Sequence, residues 1–199
     1  MLYEMATDEE RRTLESLYQV MPFQIKTISL ERAFIDKLFA AEAYTRKAVE
    51  PQRAFEAAKH IYDLSVMAQL PRIQQLYGNA EQMKQLLNIR MEEETGRLDG
   101  IPGVLPRQFT FFENIERNSS VRAAYEIMQK QYVLRPSDRI PFEKAVSTVK
   151  GIQTYLQACP AWSEYRIPMH IRLKIAQQAA ERYNNNREGR AKEQNGHVL

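Results

Sequence analysis

The chain has 199 residues, 44% of them apolar, enough to fill the core of one ordinary domain or of a small domain with an appendage. Seven glycines beside many Leu, Ala, Glu, Gln, Lys and Arg favour helix, and a formal net charge of +3 permits contact with nucleic acid without demanding it. The single cysteine, Cys159, excludes an internal disulfide, no Cys/His grouping has zinc-ligand spacing, and no apolar run nears the roughly 20 residues that span a bilayer.

From the N-terminus, Met1 to Glu10 lacks the basic start and apolar run of a secretion signal, so a reducing, cytoplasmic location with no membrane contact is expected. Thr7-Asp-Glu-Glu10 forms a capping box whose acidic first turn suits the helix dipole, predicting a short helix from Asp8 to Tyr18. Pro22 to Ile28 alternates Phe23, Ile25 and Thr27 with Gln24, Lys26 and Ile28, the period of a half-buried strand.

Ser29 is an N-cap for a long helix to Val49, with Leu30, Phe34, Leu38 and Ala41 on its apolar face. Pro51 suits the first turn of a helix from Gln52 to Gln69, with Phe55, Ala58, Ile61, Tyr62 and Ala68 inward and Pro71 beyond its end. The two should form an antiparallel hairpin. Asn79-Ala-Glu-Gln82 caps a third helix burying Met83, Leu86, Leu87 and Met91, and the Gly and Pro residues from Gly96 to Pro106 mark a loop.

Gln108 to Phe112 reads as a second short strand or an extended docking segment. Helices are expected over Ser120 to Tyr132, Phe142 to Ala158 and Pro168 to Tyr183, and Asn184 to Leu199, with no apolar period, as a disordered tail. The expected fold is mainly α, a helical bundle with one or two short strands. Residues 1–28 would form a helix plus strand, 29–183 a helical domain and 184–199 the tail.

On the first long helix, Glu31, Asp36, Lys37, Glu42, Arg46 and Lys47 lie off the apolar stripe and by themselves read as a solvated face with intrahelical ion pairs. On the second, Lys59, His60 and Asp63 span one turn, with Lys59 and Asp63 at the spacing of an ordinary i,i+4 pair. Arg90-Met-Glu-Glu-Glu94 reads as a solvated helix end, because successive glutamates point different ways. Trp162 reads as a packing anchor, and Phe109, Phe111, Phe112 and Tyr125, lacking interleaved basic residues, as core more than as base-stacking rings. Arg187 and Arg190 in the tail fit phosphate contact or solubility equally well.

Ser29-Leu-Glu-Arg-Ala-Phe-Ile-Asp-Lys37-Leu-Phe-Ala-Ala, a proline-containing turn, then Lys59-His-Ile-Tyr-Asp63-Leu resembles the C-terminal motif pair of the AbiEii/AbiGii toxin family of nucleotidyltransferases. The resemblance covers about residues 22 to 70. It implies a polymerase-β-like nucleotidyltransferase fold and transfer of a nucleotide onto a target, in some members the acceptor end of transfer RNA, within a toxin–antitoxin or phage-defence system. By it, Lys37 would contact the triphosphate and Asp63 would orient Lys37 or the acceptor. Lys59 and His60 fill the positions of a basic and a polar residue at the nucleotide, and Tyr62 packs.

The family's other motifs, a Gly-Ser turn that grips the nucleotide and an Asp-x-Asp pair that holds Mg2+, have no match. Asp8, Glu9 and Glu10 form the acidic cluster before Ser29, and no glycine precedes Gly78. The strand at Pro22 to Ile28 also lacks obvious partners. The expectation is therefore the C-terminal part of a longer enzyme, inactive alone, whose complete form uses Mg2+ and a nucleoside triphosphate. Expected partners are a cognate antitoxin, an RNA acceptor such as transfer RNA and a second copy of the chain. The rival is a non-catalytic helical module that binds a protein such as an antitoxin.

Overall fold

The computed structural model describes residues 6–18, 27–97 and 99–195, with side chains as far as Asn185. In chain order the helices are α1 (Asp8–Tyr18), α2 (Leu30–Arg46), α3 (Pro51–Met67), α4 (Pro71–Gly78), α5 (Ala80–Glu94), α6 (Phe111–Asn114), α7 (Ser119–Tyr132), α8 (Phe142–Ala158), α9 (Pro160–Ser163) and α10 (Met169–Asn195). Short 3-10 turns lie at Pro106–Gln108, Ile115–Arg117 and Pro136–Asp138. The mainly helical bundle expected from composition is what forms.

The local start signals act as their chemistry dictates. The Thr7 amide donates to Glu10 Oε2 at 2.7 Å while Thr7 Oγ1 accepts from the Glu10 amide at 3.4 Å, closing the capping box of α1. Ser29 Oγ accepts from the Arg32 amide at 3.2 Å, and Asn79 Oδ1 from the Gln82 amide at 3.0 Å.

Helix α2 is the centre of the assembly, packing on α3, α4, α5 and α6. It therefore buries more than the predicted stripe: Ile35, Phe39, Glu42 and Ala43 join Phe34, Leu38 and Ala41. Helix α3 packs on α2, α7 and α8 through small residues, Ala54, Ala57 and Ala58, that let neighbours approach closely, with Ile61 and Leu64 filling the core. Phe55, Tyr62 and Ala68 are only half-buried.

Three segments differ from expectation. Pro71 starts helix α4, whose Ile73 and Leu76 are buried, because a first-turn proline has no amide to lose there. Gln108 to Phe112 is not extended: the Glu42 carboxylate accepts from the amides of Thr110 (2.8 Å) and Phe111 (2.9 Å), which satisfies the start of α6. Phe109 then packs edge-on against Phe39 (4.9 Å between ring centres) and Trp162 (5.5 Å), so Trp162 is the anchor anticipated. The backbone of α10 continues past Tyr183 to Asn195, across the first part of the segment expected to lack order.

Of the strand expected at Pro22 to Ile28, residues 22–26 lie outside the described residues, and Thr27 and Ile28 have no regular structure. No strand occurs among the described residues. No helix among them is long and apolar enough to cross a membrane.

Candidate functional site

Lys37 leaves the solvent side of α2 and Asp63 leaves α3, and their charged atoms meet across the helix pair at 2.6 Å, each side chain about one third exposed (34% and 37%). Asp63 therefore bonds between helices and not to Lys59, one turn away on its own helix. Lys59 bonds Glu56 at 2.9 Å and lies over the rings of Phe55 and Tyr132, 6.0 and 5.7 Å from their centres. Among the predicted residues, Lys37, Asp63 and His60 come together, and Lys59 turns away toward α7.

Lys37 and His60 line an open cleft of about 600 Å³ between α2, α3, α5 and the loop after α5. Ala33, Ala40 and Ala43 of α2 give it an apolar lining whose small side chains leave room, and Tyr44, Arg90, Arg97 and Asp99 add polar groups. His60 stacks on Tyr44, with ring centres 5.5 Å apart and planes at 21°. Its Nδ1 is buried with no hydrogen-bond partner. Burial, reinforced by the Lys37 ammonium and opposed by Asp63, holds the His60 pKa down at about 4, so the ring is neutral at pH 7.

Behind Lys37 stands a charge network. Asp36 accepts from Arg32 Nε at 3.0 Å and from Arg90 Nη1 at 3.2 Å, with Arg97 Nη2 at 4.0 Å. Arg90 and Glu94, placed by sequence reading on a solvated helix end, are instead buried and paired with each other. The cause is the returning loop: Glu94 Oε2 accepts from the Ile101 amide at 2.6 Å, while Arg90 lies 5.2 Å from the centre of the Phe39 ring. Burial lowers the Arg90 pKa against the raising influence of Glu94 and Asp36. Asp99, on the same loop, is held by Arg53, by Lys47 at 3.3 Å and by the Tyr44 hydroxyl at 3.5 Å. The Arg53 hydrogen bond lowers its pKa.

Sequence reasoning missed Tyr44, Arg90, Arg97 and Asp99 as parts of one site. The only signals were the adjacency of Asp36 to Lys37 and the arginine and aspartate inside a glycine-bearing loop.

These carboxylates do not fit a magnesium ion. A hard divalent cation needs several free oxygen ligands, yet Asp36, Asp63, Asp99 and Glu56 are each engaged by a guanidinium or ammonium. No group of three or more His, Cys, Asp or Glu able to hold a metal stands together among the described residues. What the arrangement can do is receive anionic oxygens: Lys37 sits at the edge, a neutral imidazole lies alongside and further guanidiniums stand behind.

No curated protein and no solved structure matches the chain. A family model does, the nucleotidyl transferase AbiEii toxin of type IV toxin–antitoxin systems, over residues 3–158, a span wider than the paired motifs on α2 and α3. Nucleotidyltransferases act on nucleotides, usually with a divalent metal, and toxins of such systems are matched by an antitoxin. On that match the chain belongs to the AbiEii nucleotidyl transferase toxin family.

Proposed function

We propose that this chain provides the phosphate-holding side of a nucleotidyltransferase site that moves a nucleotide from a nucleoside triphosphate onto RNA. The observation that carries the reading is the Lys37–Asp63 pair at the edge of the cleft, bonded at 2.6 Å but open to solvent. A triphosphate competes with Asp63 for the Lys37 ammonium, whose charge offsets the negative charge that shifts toward the leaving pyrophosphate. Asp63 holds Lys37 in place until then.

His60, neutral and lining the cleft, presents an uncharged ring beside the nucleotide and adds no second cation next to Lys37. Lys59, outside the cleft lining, acts on the nucleotide only through its field, after loosening from Glu56. Because the carboxylates at the cleft are engaged, Mg2+ has to arrive with oxygen ligands other than these, and these residues by themselves transfer nothing. The setting is the cytoplasm, with a cognate antitoxin restraining the activity.

The reading is tested by equilibrium binding of a nucleoside, its monophosphate and its triphosphate. Affinity should rise with phosphate number and fall with salt. Equal affinities for all three would contradict it. Incubation with Mg2+, each labelled triphosphate and transfer RNA tests the division of labour, and robust transfer by the chain alone would refute that part.

A further inference from the structure

The loop that walls the cleft with Arg97 and Asp99 continues to a second depression of about 390 Å³, lined by Gly103, Leu105, Arg107, Arg166, Ile167 and Arg172. Gly103 turns the chain there with φ of 82°, a left-handed conformation that glycine adopts freely. All three arginines are exposed. Arg107 is aimed by one hydrogen bond, Nη1 donating to the Tyr165 carbonyl at 2.9 Å, which leaves most of its fork of donors unused.

Charge balance distinguishes this depression from the cleft. At the cleft, Lys37, Arg90 and Arg97 each face a carboxylate. Among the described residues, Arg107, Arg166 and Arg172 pair with none, and the acid nearest in sequence, Glu164, bonds to none of them. The depression also adjoins the start of α10, whose first turn carries no acidic residue. Three unneutralised guanidiniums beside Leu105 and Ile167 suit a series of anionic oxygen groups such as phosphates, whose oxygens arginine grips with paired N–H donors.

We infer that Arg107, Arg166 and Arg172 form a binding site for backbone phosphates of the RNA acceptor. Asp99 at the cleft and Gly103 at the depression are four residues apart on one described stretch, so their Cα atoms are at most about 14 Å apart. The arginines are therefore within reach of an RNA strand, a few nucleotides from an end that lies in the Lys37 cleft. This connection to a phosphate-handling cleft favours RNA over an acidic protein, and the inference rests on the transfer reading proposed above.

The test measures binding of a labelled transfer RNA to the whole chain across a salt series, for wild type, R166Q/R172Q and R107Q/R166Q/R172Q. The double variant spares the Arg107 bond to Tyr165 and so separates loss of phosphate contact from loss of structure. The triple variant should bind about 10-fold or more weakly near 100 mM salt. The slope of log affinity against log salt should shrink by about 2 for the triple variant and about 1.4 for the double, near 0.7 per lost contact. Nucleoside triphosphate binding should stay at the wild-type level in both.

Wild-type affinity and slope in the variants would overturn the site, as would no RNA binding by the wild type at low salt. Displacement of the RNA by polyglutamate, or by inorganic phosphate, at equal charge concentration would overturn it too, reassigning the arginines to an acidic protein or a free anion. The transfer reading fails separately, through triphosphate binding that is indifferent to Lys37.

Discussion

The buried carboxylate of Glu42, on α2, accepts a hydrogen bond from the Phe111 amide at 2.9 Å and so fixes where α6 begins. The same carboxylate takes the Thr110 amide and Arg46 Nε, so its two oxygens join α2 to the aromatic layer of Phe109, Phe111 and Trp162. Glu42→Ala leaves those amides without partners and should destabilise the fold by about 2–4 kcal/mol in urea unfolding, with little change in the unfolding slope. A loss below about 0.5 kcal/mol would mean that water replaces the carboxylate.

Gly100 lies against the end of α5 so closely that a Cβ there would stand 2.3 Å from the Glu94 carbonyl oxygen. The obstacle is backbone, which yields poorly. Gly100→Ala should cost about 1–3 kcal/mol and loosen the loop that carries Asp99. Gly78→Ala, where a Cβ meets nothing within 4 Å, should be neutral or slightly stabilising in the same thermal-unfolding series.

His60 gives the fold a pH dependence whose sign follows from its lowered pKa. Folded, it titrates at about 4, against an ordinary value of 6.5, so between those pH values the unfolded chain binds the extra proton. The stability that its neutrality contributes is present above pH 6.5 and is lost as pH falls toward 4. His60→Gln should flatten that part of a urea-midpoint profile. In Lys37→Met, which removes a nearby cation, the imidazole resonance of His60 should titrate at higher pH than in wild type.

The elements legible in the sequence are those whose signal is local. Ser29, Asn79 and the Thr7–Glu10 box announce helix starts because the capping bond closes within three residues. The α2–α3 hairpin follows from apolar spacing and Pro51. What stayed hidden depends on residues far apart in the chain. Nothing near Gln108 says that Glu42 will cap the helix there, and nothing near Arg90 says that a loop will fold back and bury it. The Lys59–Asp63 spacing suggested an intrahelical pair, but a partner on α2 competes for Asp63 and takes it.

Lys37 and Asp63 are exposed enough that their pair should contribute little to folding. A double-mutant cycle with Lys37→Met and Asp63→Asn should return a coupling of about 0.2–1 kcal/mol in unfolding. A coupling of several kcal/mol would assign the pair to the fold and not to a ligand.

The most direct measurement is the affinity of the folded chain for a nucleoside triphosphate, wild type against Lys37→Met, by calorimetry at low salt. Binding should weaken about 10-fold or more, some 1.4 kcal/mol, while unfolding stability falls by no more than about 1 kcal/mol. Equal affinity in the two proteins would contradict it.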